Sequence, residues 1–117
     1  PDLTQRPWGS RLTDEFKSGS CHAGQFETSI VMAARPGMVR GAIQQELPAN
    51  KRSLSEAILE GLSTFEEAGG PEGYFGDPAR ATPEEGSQTI QVLGRILAEA
   101  ALAELGMPIP EGELEPA

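Results

Sequence analysis

The string Cys21-His22-Ala23-Gly24-Gln25-Phe26-Glu27-Thr28-Ser29 holds the only cysteine and the only histidine of a 117-residue chain. It stands where the loop residues Ser18-Gly19-Ser20 give way to an apolar run with helical spacing. Such a junction suits a site, because the first turn of a helix offers unpaired amides and a positive dipole end. Spacing alone admits four chemistries. A Cys21 nucleophile served by His22 is disfavoured, since adjacent side chains seldom point at each other and such pairs come from distant segments. A self-contained zinc site needs about four ligands, and the supply is one His, one Cys and carboxylates such as Glu27. A lone imidazole that moves a proton beside a metal held elsewhere needs only His22. In the plainest reading His22 caps the helix and Glu27 hydrogen-bonds nearby backbone. The spacing leaves these last two open.

The elements that must position the string are readable from periodicity. Phe26, Ile30, Val31, Ala33 and Ala34 predict a helix from Ala23 to Arg35, stopped by Arg35-Pro36-Gly37. Leu12 and Phe16 predict a short turn over Thr13 to Lys17, with Asp14 and Glu15 outward. Residues 41–52 read as a polar connection. Ser53-Leu54-Ser55-Glu56 is a capping box ahead of Leu54, Ile58 and Leu62, an amphipathic helix ending near Gly61 or Leu62. Residues 69–78 form the loop-richest stretch, with Tyr74 and Phe75 as its anchors. Thr82-Pro83-Glu84-Glu85 gives an N-cap hydroxyl, a proline at the first helical position and acid in the first turn. The helix it opens should reach about Leu105, with Ile90, Leu93, Ile96, Leu97, Ala100 and Ala101 on its apolar face, and Gly106 and Pro108 end it.

Composition narrows the partners. Nine basic against 18 acidic residues give a net charge of −9, which argues against nucleic acid or an anionic membrane surface as the main partner. One cysteine excludes an intrachain disulfide and suits a reducing, cytoplasmic setting. No apolar stretch approaches the ~20 residues of a membrane span, and no signal-peptide pattern opens the chain. The start at Pro1, without an initiator Met, reads as mid-protein text.

At this point three strings, in order, resemble one family. His22-Ala23-Gly24-x-x-Glu27-Thr28-Ser29, continued by Ile30-Val31-Met32-Ala33-Ala34-Arg35-Pro36, is similar to the second signature of the creatininase family of metal-dependent amidohydrolases. Glu66-Glu67-Ala68-Gly69-Gly70-Pro71 with Gly73-Tyr74-Phe75-Gly76-Asp77-Pro78, and then Ala81-Thr82-x-x-Glu85-Gly86, resemble the carboxy-terminal part of such proteins. The resemblance implies an α/β fold, a three-layer α/β/α sandwich of which this chain supplies mostly helices and loops. It also implies a homo-oligomer, a hexamer in the family, acting on a small-molecule amide or cyclic amide. A pair of divalent metals, zinc, manganese or iron, would activate the attacking water. His22 matches the residue that passes a proton to the leaving nitrogen, a task that suits imidazole as a class. Glu27 and Thr28 match supports behind the site, and Cys21 and Gly24 lie near the substrate pocket.

Two departures shape the expectation. Where creatinine-hydrolysing members carry a tryptophan and carboxylates before the histidine, this chain has Ser18, Gly19, Ser20 and Cys21, so creatinine is a poor fit as substrate. The family's Glu-x-His and Gly-His metal strings have no counterpart here, and the ligands are expected upstream, with no metal ligand in this chain. The organisation expected is a polar lead-in over residues 1–20, the carboxy-terminal part of a creatininase-like domain over 21–106, and an acidic mobile tail over 107–117. Its partner would be the upstream half of the same protein. The competing reading is a non-catalytic helical interaction module or an inactive, degenerate fragment.

Overall fold

The structure, a computed structural model, describes residues 1–19 and 22–111. It is 55% helical and contains no strand among the described residues. Helices and loops are thus what the chain supplies, as the sequence predicts. The described part is flat, 46 × 35 × 18 Å with a radius of gyration of 16.1 Å, against about 13 Å for a globular chain of this length.

Two helices set the frame. α1 (Arg6–Gly9) and α2 (Asp14–Lys17) are single turns, and α3 (Gln25–Ala34) packs along α7 (Pro83–Glu104). Between them run α4 (Gly41–Gln44), α5 (Leu54–Leu59) and α6 (Phe65–Ala68), with 3₁₀ turns at Pro36–Met38 and Pro78–Arg80. The crossing of α3 and α7 is close because Gly86 has no side chain: a Cβ there would run into the Ser29 carbonyl. Polar groups lock the same place. Ser29, fully buried, donates its hydroxyl to Glu85 Oε2 (2.9 Å) and accepts the Thr82 N–H (3.1 Å). Gln25 Nε2 donates to Glu85 Oε1 at 3.0 Å. Thr82 caps α7 by accepting the Glu85 N–H, as the sequence indicates.

Leu12, Phe26 and Ile96 form one core, with Leu3, Trp8, Phe16, Ile30, Val92 and Leu93 around them. Each such large apolar side chain, when fully buried, contributes about 1.5–3 kcal/mol. A second, smaller core is Ala57, Ala68 and Phe75, backed by Leu54. At the far end, Arg11 Nη1 and Arg95 Nε donate to Glu99 at 2.5 and 3.0 Å, and Arg11 also lies over the Trp8 ring. Residues 1–19 are thereby tied to α7.

Several expectations are corrected by packing. Glu15 does not point outward; its carboxylate is bonded to two distant backbone amides. The polar connection over 41–52 contains α4, whose Gln44 is buried. On α5 the small Ala57 is buried while Ile58 is 63% and Leu59 87% exposed, so the helix does not bury the 54/58/62 stripe. On α7, Ile96 is buried, but Ile90 and Leu97 face outward and the inner face instead carries Gly86, Thr89 and Glu99. Of the acidic tail, residues 112–117 lie outside the described residues.

Candidate functional site

His22 is fixed first by its backbone. It forms an antiparallel bridge with Phe75, whose N–H donates to the His22 carbonyl at 2.8 Å while the His22 N–H donates back at 3.4 Å. On the other side of this extended stretch, Asn50 bridges Gly76. Asn50 Nδ2 also donates to the carbonyls of Gly69 and Tyr74, both at 3.0 Å, and the Tyr74 hydroxyl donates to the Pro48 carbonyl at 2.5 Å. The 69–78 loop is therefore rigidly held, and Phe75 is fully buried beneath it. The imidazole of His22, half-buried, lies against the Phe65 ring with centroids 4.6 Å apart, and Phe65 in turn meets Phe75 edge-on at 5.7 Å.

Between His22 and α3 the chain makes an unusual turn. Ala23 has φ +51°, in the left-handed region that a residue with a Cβ enters only at a cost. Its N–H donates to Glu27 Oε2 at 2.6 Å, and its carbonyl accepts the Thr28 hydroxyl at 3.4 Å. Glu27 and Thr28 thus hold both polar groups of the strained residue, and the Glu27 bond to nearby backbone is the one the plainest reading of the string expects. Gly24 is the N-cap of α3 and is buried, with the Glu15 carboxylate and the Phe75 carbonyl where a Cβ would stand. Cys21 lies outside the described residues.

Ala23, Glu27, Thr28 and Val31 also line a groove of about 900 Å³, together with Met38, Ile43 and Tyr74. His22 does not line it. The string thus folds as one junction with two sides, the imidazole toward Phe65 and the supporting pair toward the groove.

No three His, Cys, Asp or Glu side chains among the described residues come together to hold a metal ion. The carboxylates nearest the packed elements are held by other groups. Glu15 accepts two amides, Glu27 accepts one, Glu85 is taken by Gln25 and Ser29, and Glu99 by two arginines. Arg11, hydrogen-bonded to Glu99, holds that carboxyl below the usual carboxylate range, against the opposing effect of desolvation. These residues do not fit a metal centre.

Glu15 is the residue that sequence reasoning missed. Its oxygens accept the N–H of Phe26 at 2.9 Å and of Asp77 at 2.8 Å, 11 and 62 residues away. The two glycines that leave room for it, Gly24 and Gly76, were the available signal.

The described chain is thus mostly helical, with its one histidine on an extended stretch ahead of α3. The chain belongs to the creatininase family, whose model, described as creatinine amidohydrolase, matches residues 1–101. At the level of the family the chemistry is hydrolysis of amide C–N bonds, and members are generally metal-dependent. No helix among the described residues is long and apolar enough to cross a membrane. Neither a curated protein nor a solved structure matches the chain.

Proposed function

We propose that the chain forms the proton-donating wall of an amidohydrolase that cleaves a C–N bond in a small amide or cyclic amide. The family match over residues 1–101 carries this reading. In it, His22 delivers a proton to the leaving nitrogen. An amide nitrogen leaves poorly until protonated, and a positioned acid typically contributes ~10²–10⁴-fold in rate. Glu27 and Thr28 hold the Ala23 turn on which His22 sits. Gly24 lets that turn close against Phe75; it does not line the groove and Cys21 lies outside the described residues, so their place near the substrate rests on the family resemblance alone. Zinc, manganese or iron, implied by the family, belongs in this reading to residues outside this chain, because no three His, Cys, Asp or Glu side chains among the described residues come together to hold it.

The same reading makes the flat helical chain part of a three-layer α/β/α sandwich in a cytoplasmic homo-oligomer. Residues 21–106 are then the carboxy-terminal part of the domain. A second reading, a helical module that docks a protein partner, draws on the exposure of Ile58, Leu59 and Leu97. Turnover of small amides by the complete protein, with and without chelator, separates the two. His22→Asn in that protein should slow turnover by ~10²-fold or more while the fold is kept. Turnover within a few-fold of the parent would refute the proton-donor role.

A further inference from the structure

Two backbone segments hold His22. One is the extended stretch Tyr74–Gly76, bridged to it through Phe75; the other is the first turn of α3, which follows it through Ala23 and Gly24. A single side chain ties these two segments together. Glu15, on α2, accepts the Phe26 N–H in the first turn of α3 with Oε1 and the Asp77 N–H, directly after Gly76, with Oε2. Both bonds have a charged acceptor and are the stronger kind, and the carboxylate also complements the positive end of the ten-residue α3.

The neighbouring backbone is shaped around this carboxylate. A Cβ at Gly24 or at Gly76 would strike it, and Gly76 moreover has φ +111°. Two glycines, one in each segment, thus keep open the space that Glu15 fills. Because the Phe65 ring lies against the imidazole, a small shift of either segment would change how His22 meets that ring.

We propose that Glu15 is the positioning residue for His22, acting by clamping the α3 start to the Tyr74–Asp77 segment. The proposal rests on the reading of His22 as proton donor, but its structural part is testable separately. His22 is the only histidine and Trp8 the only tryptophan, so each gives an unambiguous NMR signal. The Phe65 ring, 4.6 Å away, displaces the His22 ring protons from their free-imidazole positions.

Glu15→Gln replaces one acceptor oxygen by an NH₂ that faces a donor, so one of the two amide bonds is lost. In the full chain the His22 ring signals should then move toward free-imidazole positions, and the His22 and Phe75 amides should exchange at least about tenfold faster. The Trp8 indole signal should stay in place. Glu15→Asp, which keeps the charge but is too short to span both amides, should give the same pattern. In the complete enzyme kcat should fall with KM unchanged. Unmoved His22 signals in either folded variant overturn the proposal. So do His22 and Trp8 signals lost together in both variants, since Glu15 is then a general fold residue. Undiminished turnover in His22→Asn instead overturns the proton-donor reading alone, since the clamp is read separately from the His22 signals of the Glu15 variants.

Discussion

Glu27 holds the backbone N–H of Ala23 at 2.6 Å and so stabilises a left-handed residue between His22 and α3. The strain and its support are four residues apart. Glu27→Gln weakens a charge-assisted bond and should lower stability by about 1 kcal/mol. Ala23→Gly removes the Cβ that opposes φ +51°, and should unfold within about 0.5 kcal/mol of the parent or later. Ala23→Val should cost more than about 1 kcal/mol, because branching at Cβ worsens the same conformation. Urea unfolding of the three variants checks the order.

Two glycines of α7 should respond in opposite directions. A Cβ at Gly86 meets the Ser29 backbone of α3, which cannot step aside, so Gly86→Ala should cost about 1–3 kcal/mol. Gly94 has open space around it, and Gly94→Ala should stabilise by roughly 0.5–1 kcal/mol through helix propensity. Equal effects at the two positions would contradict the close crossing of α3 and α7.

Acid should act through Glu99. Its carboxyl is held below its ordinary value of 4.5 by the Arg11 hydrogen bond, so the unfolded chain takes up the proton first. The stability it supplies is then complete above that value and is lost as the pH falls through the lower folded value. Glu99→Gln should remove part of the pH dependence below about pH 4.5 and leave the slope near neutrality unchanged. Thermal melts from pH 3 to 7 give the test.

Metal binding by this chain should be weak. Glu15, Glu85 and Glu99 already accept amides, a hydroxyl or guanidinium groups, and a tight site built on them would have to break those bonds. Zinc titration by calorimetry should show no stoichiometric step and no proton release of the kind deprotonated Cys/His ligands give. Stoichiometric binding abolished by Cys21→Ser or His22→Asn would place ligands within this chain after all.

What the sequence discloses here is what is local. The Thr82 cap, the Ser53 cap and the Tyr74–Phe75 anchors all follow from residues within a few positions of one another, and the structure contains each. The same capping signal stands at Thr64 and Glu67, where Thr64 accepts the Glu67 N–H and Glu67 accepts the Ser63 N–H. It passes unread because no apolar run follows it. The α7 face is rotated from the apolar stripe because Gly86 and Ser29 let the helices approach where the sequence looks polar. Glu15 and Gln44 escape for another reason: Glu15's partner amides are far along the chain, and Gln44 Nε2 donates to the Pro78 carbonyl, 34 residues on. Neither contact has a period or a motif. The signature around His22 was legible as a string, but its division into an imidazole on Phe65 and a supporting pair on the groove was not.

The bridge between His22 and Phe75 also has a consequence for the order of folding. It joins residues about fifty positions apart, and closing a loop of that length costs about 3.5 kcal/mol of chain entropy by ideal-chain scaling. Two hydrogen bonds at one rung return little of that, so the bridge waits for the contacts of α3 with α7 and for the Phe75 cluster to draw the ends together. The histidine's seat is then among the last parts of the chain to form, after α3 has met α7.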